Sequence, residues 1–370
     1  MKTRILLTAI FLMSIIAACT TTIPVRVRKP AELNVGAART IAVMDFDFSG
    51  SWDYSADKKS KTTLRDVLTN VLSGAGTQSQ NSSQKTYPGS NVSDQFVAKL
   101  VQNQYYTVIE RSKIEEIIKE QSFSLSGLVD QQQAVTIGNL LGAEALITGS
   151  GSYSIKDEGG WETYKEKEKD KDGKKVEVEK KRYNIYRIVD VSLTFRIIDV
   201  TTGSIIASKT NHGSNRSVKR SYMGTGKNER AAAQSLPDWK PIVERVVSNV
   251  LDLTVTQIAP HTVTEKRVIE EGDSNKMERA LEYAKRDLWD EARVIWLEVV
   301  DKKKSDKEDK IAATYNLGLY YEVFGFLDDA ESYYQKAFKL SGDSKFLDAR
   351  ARINRRRAEL RKLQQQEYGL

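Results

Sequence analysis

The chain has 370 residues, 57 Lys and Arg against 50 Asp and Glu, a formal charge of +7 and a single cysteine. This length allows more than one domain, and 40% hydrophobic content is enough for at least one buried core. One cysteine excludes an intramolecular disulfide, and two histidines in separate polar segments argue against zinc or triad chemistry.

Lys2 and Arg4 precede an apolar stretch at 5–16 that is too short to span a bilayer, and Ala17-Ala18 stand directly before Cys19. This is the layout of a secretory signal (1–18) ending in a lipobox, so Cys19 is expected to become a lipidated N-terminus. Secretion argues against nucleic acid as the partner of the positive charge, much of which lies in mixed runs that read as solvated faces. Residues 19–37 read as a tether.

Residues 39–48, RTIAVMDFDF, have the apolar pattern of a buried strand. Leu64, Val67, Leu68 and Val71 predict a helix over 58–72, and the Ser/Asn/Gln/Gly-rich segment 73–91 predicts a loop. Phe96, Val97, Leu100 and Val101 predict a helix over 94–102, leading into a strand at 105–109. Ile114, Ile117 and Ile118 give a further helical stripe, and Val135, Ile137, Leu140 and Leu141 another that Gly142 stops before a short buried strand at 145–148.

After Gly149 the pattern becomes a hairpin. Residues 153–170 climb to a turn at Asp172-Gly173, and 176–200 return with Ile185, Val189, Val191, Leu193, Phe195 and Ile197 in alternation. Its tip, KEKEKDKDGKKVEVEKK, is charged on both faces. Residues 204–209 read as the next strand, 211–234 as polar loop, and Ile242, Val246, Val247, Val250 and Leu253 predict a helix over 240–258. The first domain is therefore expected at 38–260, followed by a linker at 261–275.

Beyond the linker the period becomes helical and repeats. Leu317-Gly318 and Tyr321, then Ala330, Tyr334 and Ala337, have the spacing of a tetratricopeptide repeat, and Ala280, Tyr283, Ala292 and Trp296 form a weaker copy. Small residues at these positions let two antiparallel helices pack closely. The repeats are expected over 276–343, with a capping helix and tail at 344–370. Arg350, Arg352, Arg355, Arg356, Arg357 and Arg361 spread around that last helix and read as a solvated cap. Tyr283, Trp296, Tyr321 and Tyr334 are the groove residues expected to meet a protein partner, although Trp289 and Trp296 also stand where packing is the default.

No catalytic constellation emerges. His212 and His261 have no ligand at metal spacing, and Asp45 and Asp47 lack a third. Gly224-Thr225-Gly226-Lys227 lacks the first glycine and the final hydroxyl of a phosphate loop, and Ser55-Ala56-Asp57-Lys58 lacks the companion motifs of acyl-enzymes. The expectation is a non-enzyme without metal or cofactor.

The order Val108-Ile109-Glu110-Arg111-Ser112, Glu120-Gln121, Ser126-Gly127 with Asp130, then Gly138, Gly142-Ala143-Glu144, Ile147 and Gly149 resembles the core of the CsgG/HfaB family, lipoproteins of curli assembly and transport. Arg28-Lys29-Pro30-Ala31-Glu32, Ile41-Ala42-Val43 with Phe46, and Asp199 with Thr202-Gly203 are similar to further family segments. The resemblance covers about 27–258 and implies an α/β domain with helices against a mixed sheet, here followed by an all-α helical-repeat domain. In the family's curli channel a ring of subunits builds a transmembrane β-barrel from two hairpins each, which would fall at 152–189 and 204–241. A barrel strand needs about ten residues alternating apolar and polar. Lys165, Lys167 and Lys169 with Glu166, Glu168 and Asp170 charge both faces of the first, and 211–230 does not alternate. The expected protein is a scaffold or assembly component, lipid-anchored at the outer membrane facing the periplasm and binding a protein partner through its repeats. A homo-oligomeric channel subunit and a lipoprotein regulator of a cell-wall synthase are the alternatives.

Overall fold

The computed structural model describes residues 21–53, 87–110, 112–113, 116 and 131–368. Cys19, the helix expected over 58–72, the side chains of Ile114, Ile117 and Ile118 and most of the loop expected at 73–91 lie outside the described residues. The chain divides into two compact units, Pro30–His261 with Gln366–Leu370, and Thr262–Gln365 with the N-terminal residues through Lys29.

The first unit is built on a mixed sheet. Strands β2 (Thr40–Val43), β4 (Thr107–Val108), β5 (Ala145–Lys169), β6 (Lys175–Asp199) and β7 (Ile205–Ser214) run in the order β4-β2-β5-β6-β7, with β3 (Asp47–Asp53) also on β5 and β8 (Met223–Gly226) on β6. The β2–β4, β2–β5 and β3–β5 pairs are parallel, and β5–β6, β6–β7 and β6–β8 antiparallel. Alternation along β2 explains its continuous apolar run. Ile41 and Val43 face the large core with helices α1 (Gly89–Asn103) and α4 (Lys240–Ile258), whereas Ala42 and Met44 face a smaller cluster with Ile137 of α2 (Gln131–Leu141). Phe96 and Leu100 of α1 and Ile242, Val243 and Leu251 of α4 are almost wholly buried in the larger core.

Three expectations need correction. The strand expected at 39–48 is two strands, because the chain leaves the ladder around Met44–Phe46 and rejoins β5 through Asp47↔Ser150. The short strand expected at 145–148 and the rising arm expected from 153 are one strand of 25 residues. The loop expected at 211–234 holds the end of β7, β8 and the short helix α3 (Glu229–Gln234), whose Asn228 side chain accepts the Ala231 N–H. Gly224 and Gly226 fit β8 closely under α3, where the Ala232 carbonyl oxygen lies 2.1 Å from where a Cβ of Gly224 would stand. That packing explains the glycines without a phosphate.

The second unit contains helices α5 (Asn275–Lys285), α6 (Trp289–Asp301), α7 (Lys307–Val323), α8 (Leu327–Ser341) and most of α9 (Lys345–Tyr368). Its central helix is α7, buried on nearly all sides from Asp309 to Tyr320. One cluster joins it to α5 and α6 through Ala280, Ala292 and Trp296, and another joins it to α8 and α9 through Ala330, Tyr334, Phe346 and Ile353. Gly318 allows the closest approach, since a Cβ there would stand 2.7 Å from the Tyr334 ring.

Parts of the segments read as tether and linker, 22–29 and 262–268, are strands of this unit. β1 (Thr22–Lys29) and β9 (His261–Val268) form a two-stranded ribbon, and Ile23, Val25 and Val27 of β1 are buried with Met277, Trp289 and Leu317. Alternate apolar side chains of a lone strand could not be hidden from water; the ribbon hides them against helices.

Candidate functional site: a projecting hairpin and a filled groove

β5 and β6 are paired over their full length, from Ala145↔Asp199 to Lys169↔Lys175. β3 accompanies β5 only to Lys156, and β8 accompanies β6 only from Tyr183 to Tyr186. Among the described residues the hairpin beyond β8 is two-stranded, and 162–169 at about 3.3 Å per residue extend roughly 26 Å. Gly173, at φ +80, closes the turn, where Asp170 Oδ1 accepts the N–H groups of Asp172 (3.0 Å) and Lys174 (2.8 Å).

An isolated ribbon is marginal in water, so its side chains must hold it. On one face Arg182 donates from Nε and Nη2 to Glu162 (3.0 and 2.8 Å), Asn184 donates to the same oxygen (2.6 Å), and Lys180 bonds Glu166 (2.8 Å) and Glu168. The bonds from Arg182 and Asn184 hold the Glu162 carboxyl below its usual range. On the other face Lys165 stands 3.8 Å from Glu177, and Trp161 meets Tyr183 edge-on at 5.3 Å. Register puts Lys165, Lys167, Lys169, Lys175 and Lys181 with Glu177 and Glu179 on that second face, and Glu162, Glu166, Glu168, Lys180 and Arg182 on the first. The two faces therefore carry opposite excess charge.

A buried ion pair fastens the hairpin's base. Asp157 lies opposite Arg187, which donates Nε to Oδ1 and Nη2 to Oδ2, both at 2.9 Å, and Nη1 to the Pro237 carbonyl at 2.7 Å. The Arg187 guanidinium sits 5.0 Å over Trp52. Asn215 continues the ladder where β7 ends, accepting Val189 N–H (2.8 Å) and donating to the Arg187 carbonyl (2.9 Å).

Beside the base, the sheet face away from α4 is an open groove of about 550 Å³. Its floor has two rows set by register, Ser152, Ser192 and His212, then Ser154, Asp190 and Ser214, with Ser49 and Ser51 of β3 alongside. Hydroxyls predominate, and they can donate or accept. His212 and Asp190 stand in different rows with no hydrogen bond between them, so the geometry is not that of a relay.

In the helical unit the ribbon lies along α7 and α9. The Asn316 side chain accepts Glu270 N–H (2.9 Å) and donates to its carbonyl (2.8 Å), Tyr315 donates to Val268 O (3.3 Å), and Arg356 donates to Arg28 O (2.6 Å). Lys29 pairs with Glu265 (2.8 Å) and Glu359 (2.7 Å). Glu322 is the hub. Arg352 grips both its oxygens (2.8 and 2.7 Å), Arg267 donates at 3.1 Å and the Tyr334 hydroxyl at 2.6 Å. Burial alone would raise the Glu322 carboxyl, but the Arg352 bonds and charge outweigh it and hold it below the usual range.

The four expected groove residues do not form one surface. Trp296 and Tyr334 are fully buried in the packing between helices and cannot meet a partner. Tyr283 is exposed at the end of α5, and Tyr321 is half-buried, stacked on Tyr333 at 5.3 Å. Helical spacing marks aromatics that face a neighbouring helix and does not tell a groove wall from a core, so Trp296 and Tyr334 share the spacing of groove residues while packing as core. The solvated-cap reading of the C-terminal arginines fails at Arg352, and Arg350 and Arg357 both bond Glu331. Glu322 gives no sign in the sequence, because a lone glutamate among apolar residues carries no spacing signal of its own.

A mixed sheet carrying helices, followed by helical pairs, places the chain in an α/β class with a helical-repeat extension. The family model described as curli production assembly/transport component CsgG matches residues 55–285, more than half of the chain, and the chain belongs to that family. A domain of unknown function, DUF6340, matches residues 278–365. No curated protein matches the chain. Among solved structures, the LpoB C-terminal domain from Salmonella enterica is similar at 12% identity and TM-score 0.27, covering 48% of this chain and 84% of that one. A PelC dodecamer from Paraburkholderia phytofirmans is similar at 12% identity and TM-score 0.23, covering 64% and 99%. Lipoprotein GNA1162 from Neisseria meningitidis is similar at 9% identity and TM-score 0.23, covering 59% and 98%.

Proposed function

We propose that this protein is a lipid-anchored scaffold of the bacterial cell envelope, held at the outer membrane through Cys19 and facing the periplasm. It would act by presenting the hairpin to assembly or transport partners, with no catalysis, metal or cofactor. The observation that carries this reading is the hairpin's cross-strand ion pairing on both faces, including Arg182 with Glu162 and Lys165 with Glu177. Such a ribbon is stable in water and costly in lipid, where each Lys or Arg at mid-bilayer costs about 2–4 kcal/mol. A channel subunit would need an apolar face along the same strands.

The hairpin is preferred here to the repeats as the partner-binding element, because Trp296 and Tyr334 are buried and the β1–β9 ribbon bonds Tyr315, Arg356 and Glu359 of the helical unit. The test is recovery of co-purifying proteins from membranes with the full chain and with a chain whose hairpin ends in a tight turn after Glu162. Partners lost only from the shortened chain support the reading. Identical partners on both chains would remove the hairpin from the proposed role.

A further inference from the structure

Thr21, two residues after the expected lipid carrier Cys19, is tied to one end of the helical unit. Its carbonyl accepts the Ile269 N–H at 3.0 Å, and its hydroxyl bonds Glu271. Two residues of extended chain reach at most about 7 Å. The segment after β9 is in turn fixed to the start of α7, because Asp309 Oδ1 accepts the N–H groups of Asp273 (2.8 Å) and Ser274 (3.3 Å). The α6–α7 turn lies at this end. So does the α8–α9 turn, since α8 runs back along α7 after a short connection and Lys345 pairs with Glu270 at 2.9 Å.

This end presents a run of three lysines. Lys302, Lys303 and Lys304 form the α6–α7 turn, all exposed and in no ion pair among the described residues. Of the acids in and beside the turn, Asp306 accepts the N–H groups of Glu308 and Asp309 as the cap of α7 and Asp309 holds Asp273 and Ser274, whereas Asp301 and Glu308 are exposed. Lys339 is exposed in the last turn of α8, beside Leu340 at 43% and Leu347 at 40% exposure. Exposed cations at the same end as exposed leucines suit the headgroup layer, where ammonium groups meet phosphates and apolar side chains reach the acyl boundary.

We propose that this end of the helical unit is a second membrane contact, with Lys302, Lys303, Lys304 and Lys339 on the phosphates of anionic phospholipid headgroups and Leu340 and Leu347 in the interface. The inference rests on the lipidation of Cys19 in the reading above. The lipid supplies attachment, and the basic end fixes which side of the unit meets the bilayer.

The test uses the full lipidated chain in vesicles of phosphatidylethanolamine, with or without phosphatidylglycerol. One fluorescent label is placed at Lys303→Cys or, at the opposite end of the unit, at Asp328→Cys. Mass spectrometry of the N-terminal peptide comes first; an unmodified Cys19 overturns the lipid reading separately. With lipid in place, a headgroup quencher should quench the label at 303 several-fold more than the label at 328 when phosphatidylglycerol is present. Lys302→Gln, Lys304→Gln and Lys339→Gln together should abolish that difference. Equal quenching at the two positions, or a difference that persists without phosphatidylglycerol or in the triple variant, would overturn the proposal.

Discussion

At the scale of single residues, two buried carboxylates decide how firmly their surroundings hold. Asp157 exposes 1% of its side chain and faces Arg187, so Asp157→Ala leaves a guanidinium buried without its partner. The expected loss is about 3–5 kcal/mol of unfolding free energy, read by chemical denaturation. Glu322 gives a pH-dependent version. Its carboxyl is held below the ordinary range in the folded chain, so its contribution is full above the unfolded-state value and is lost as pH falls through the lower, folded one. Melting temperature should therefore drop as pH falls below the ordinary carboxylate value of 4.5, and the drop should be shallower in Glu322→Gln. Equal slopes in the two proteins would show that the hub does not carry the linkage. Neither carboxylate stood out in the sequence. Asp157 falls within the arm that climbs to the hairpin turn and Glu322 has no spacing signal, so only the strand register and the crossing of α9 bring the arginines to them.

At the scale of elements, the hairpin was legible and the ribbon was not. Alternation from Ile185 to Ile197 and the Asp172-Gly173 turn mark β5 and β6 directly, because both signals are local. β1 also alternates, with Ile23, Val25 and Val27, yet its partner lies more than 200 residues further on and the strand stands beside a lipobox, where a tether is the obvious reading. β9 hides its inward face behind charge, since Arg267 points to Glu322 and Glu265 to Lys29. The hairpin supports a direct prediction. Replacing 165–180 with a tight Asn-Gly turn removes solvated residues whose ion pairs are exposed, so stability should change by no more than about 0.5 kcal/mol in a thermal melt. A larger loss would mean that the distal ribbon packs on something in the folded protein.

At the scale of the whole molecule, the order of elements along the chain differs from their grouping in space. The N-terminal strand belongs with the C-terminal helices, and Gln366 near the other terminus belongs with the α/β unit, where its amide pairs with both backbone groups of Ala31 (2.8 and 3.1 Å). A break near 261–275, natural from composition, would cut through the helical unit's own core. The fragment from 275 onward should be poorly folded by circular dichroism, because Trp289, Leu317 and Leu319 lose the cover of β1. Supplying 21–29 and 261–274 in the same chain should restore a cooperative melt. A cooperative melt without them would show that the ribbon is an accessory.

The family to which the chain belongs includes a secretion channel, whereas a hairpin charged on both faces belongs in water. Single-channel recording of the purified, lipidated protein in planar bilayers separates the two most directly. A hairpin paired by Arg182–Glu162 and Lys180–Glu166 on one face and Lys165–Glu177 on the other predicts no conductance above the bare bilayer, with the hairpin intact or shortened. Discrete conductance steps from the intact protein that vanish when 165–180 are replaced would contradict the scaffold reading and make the hairpin a pore wall.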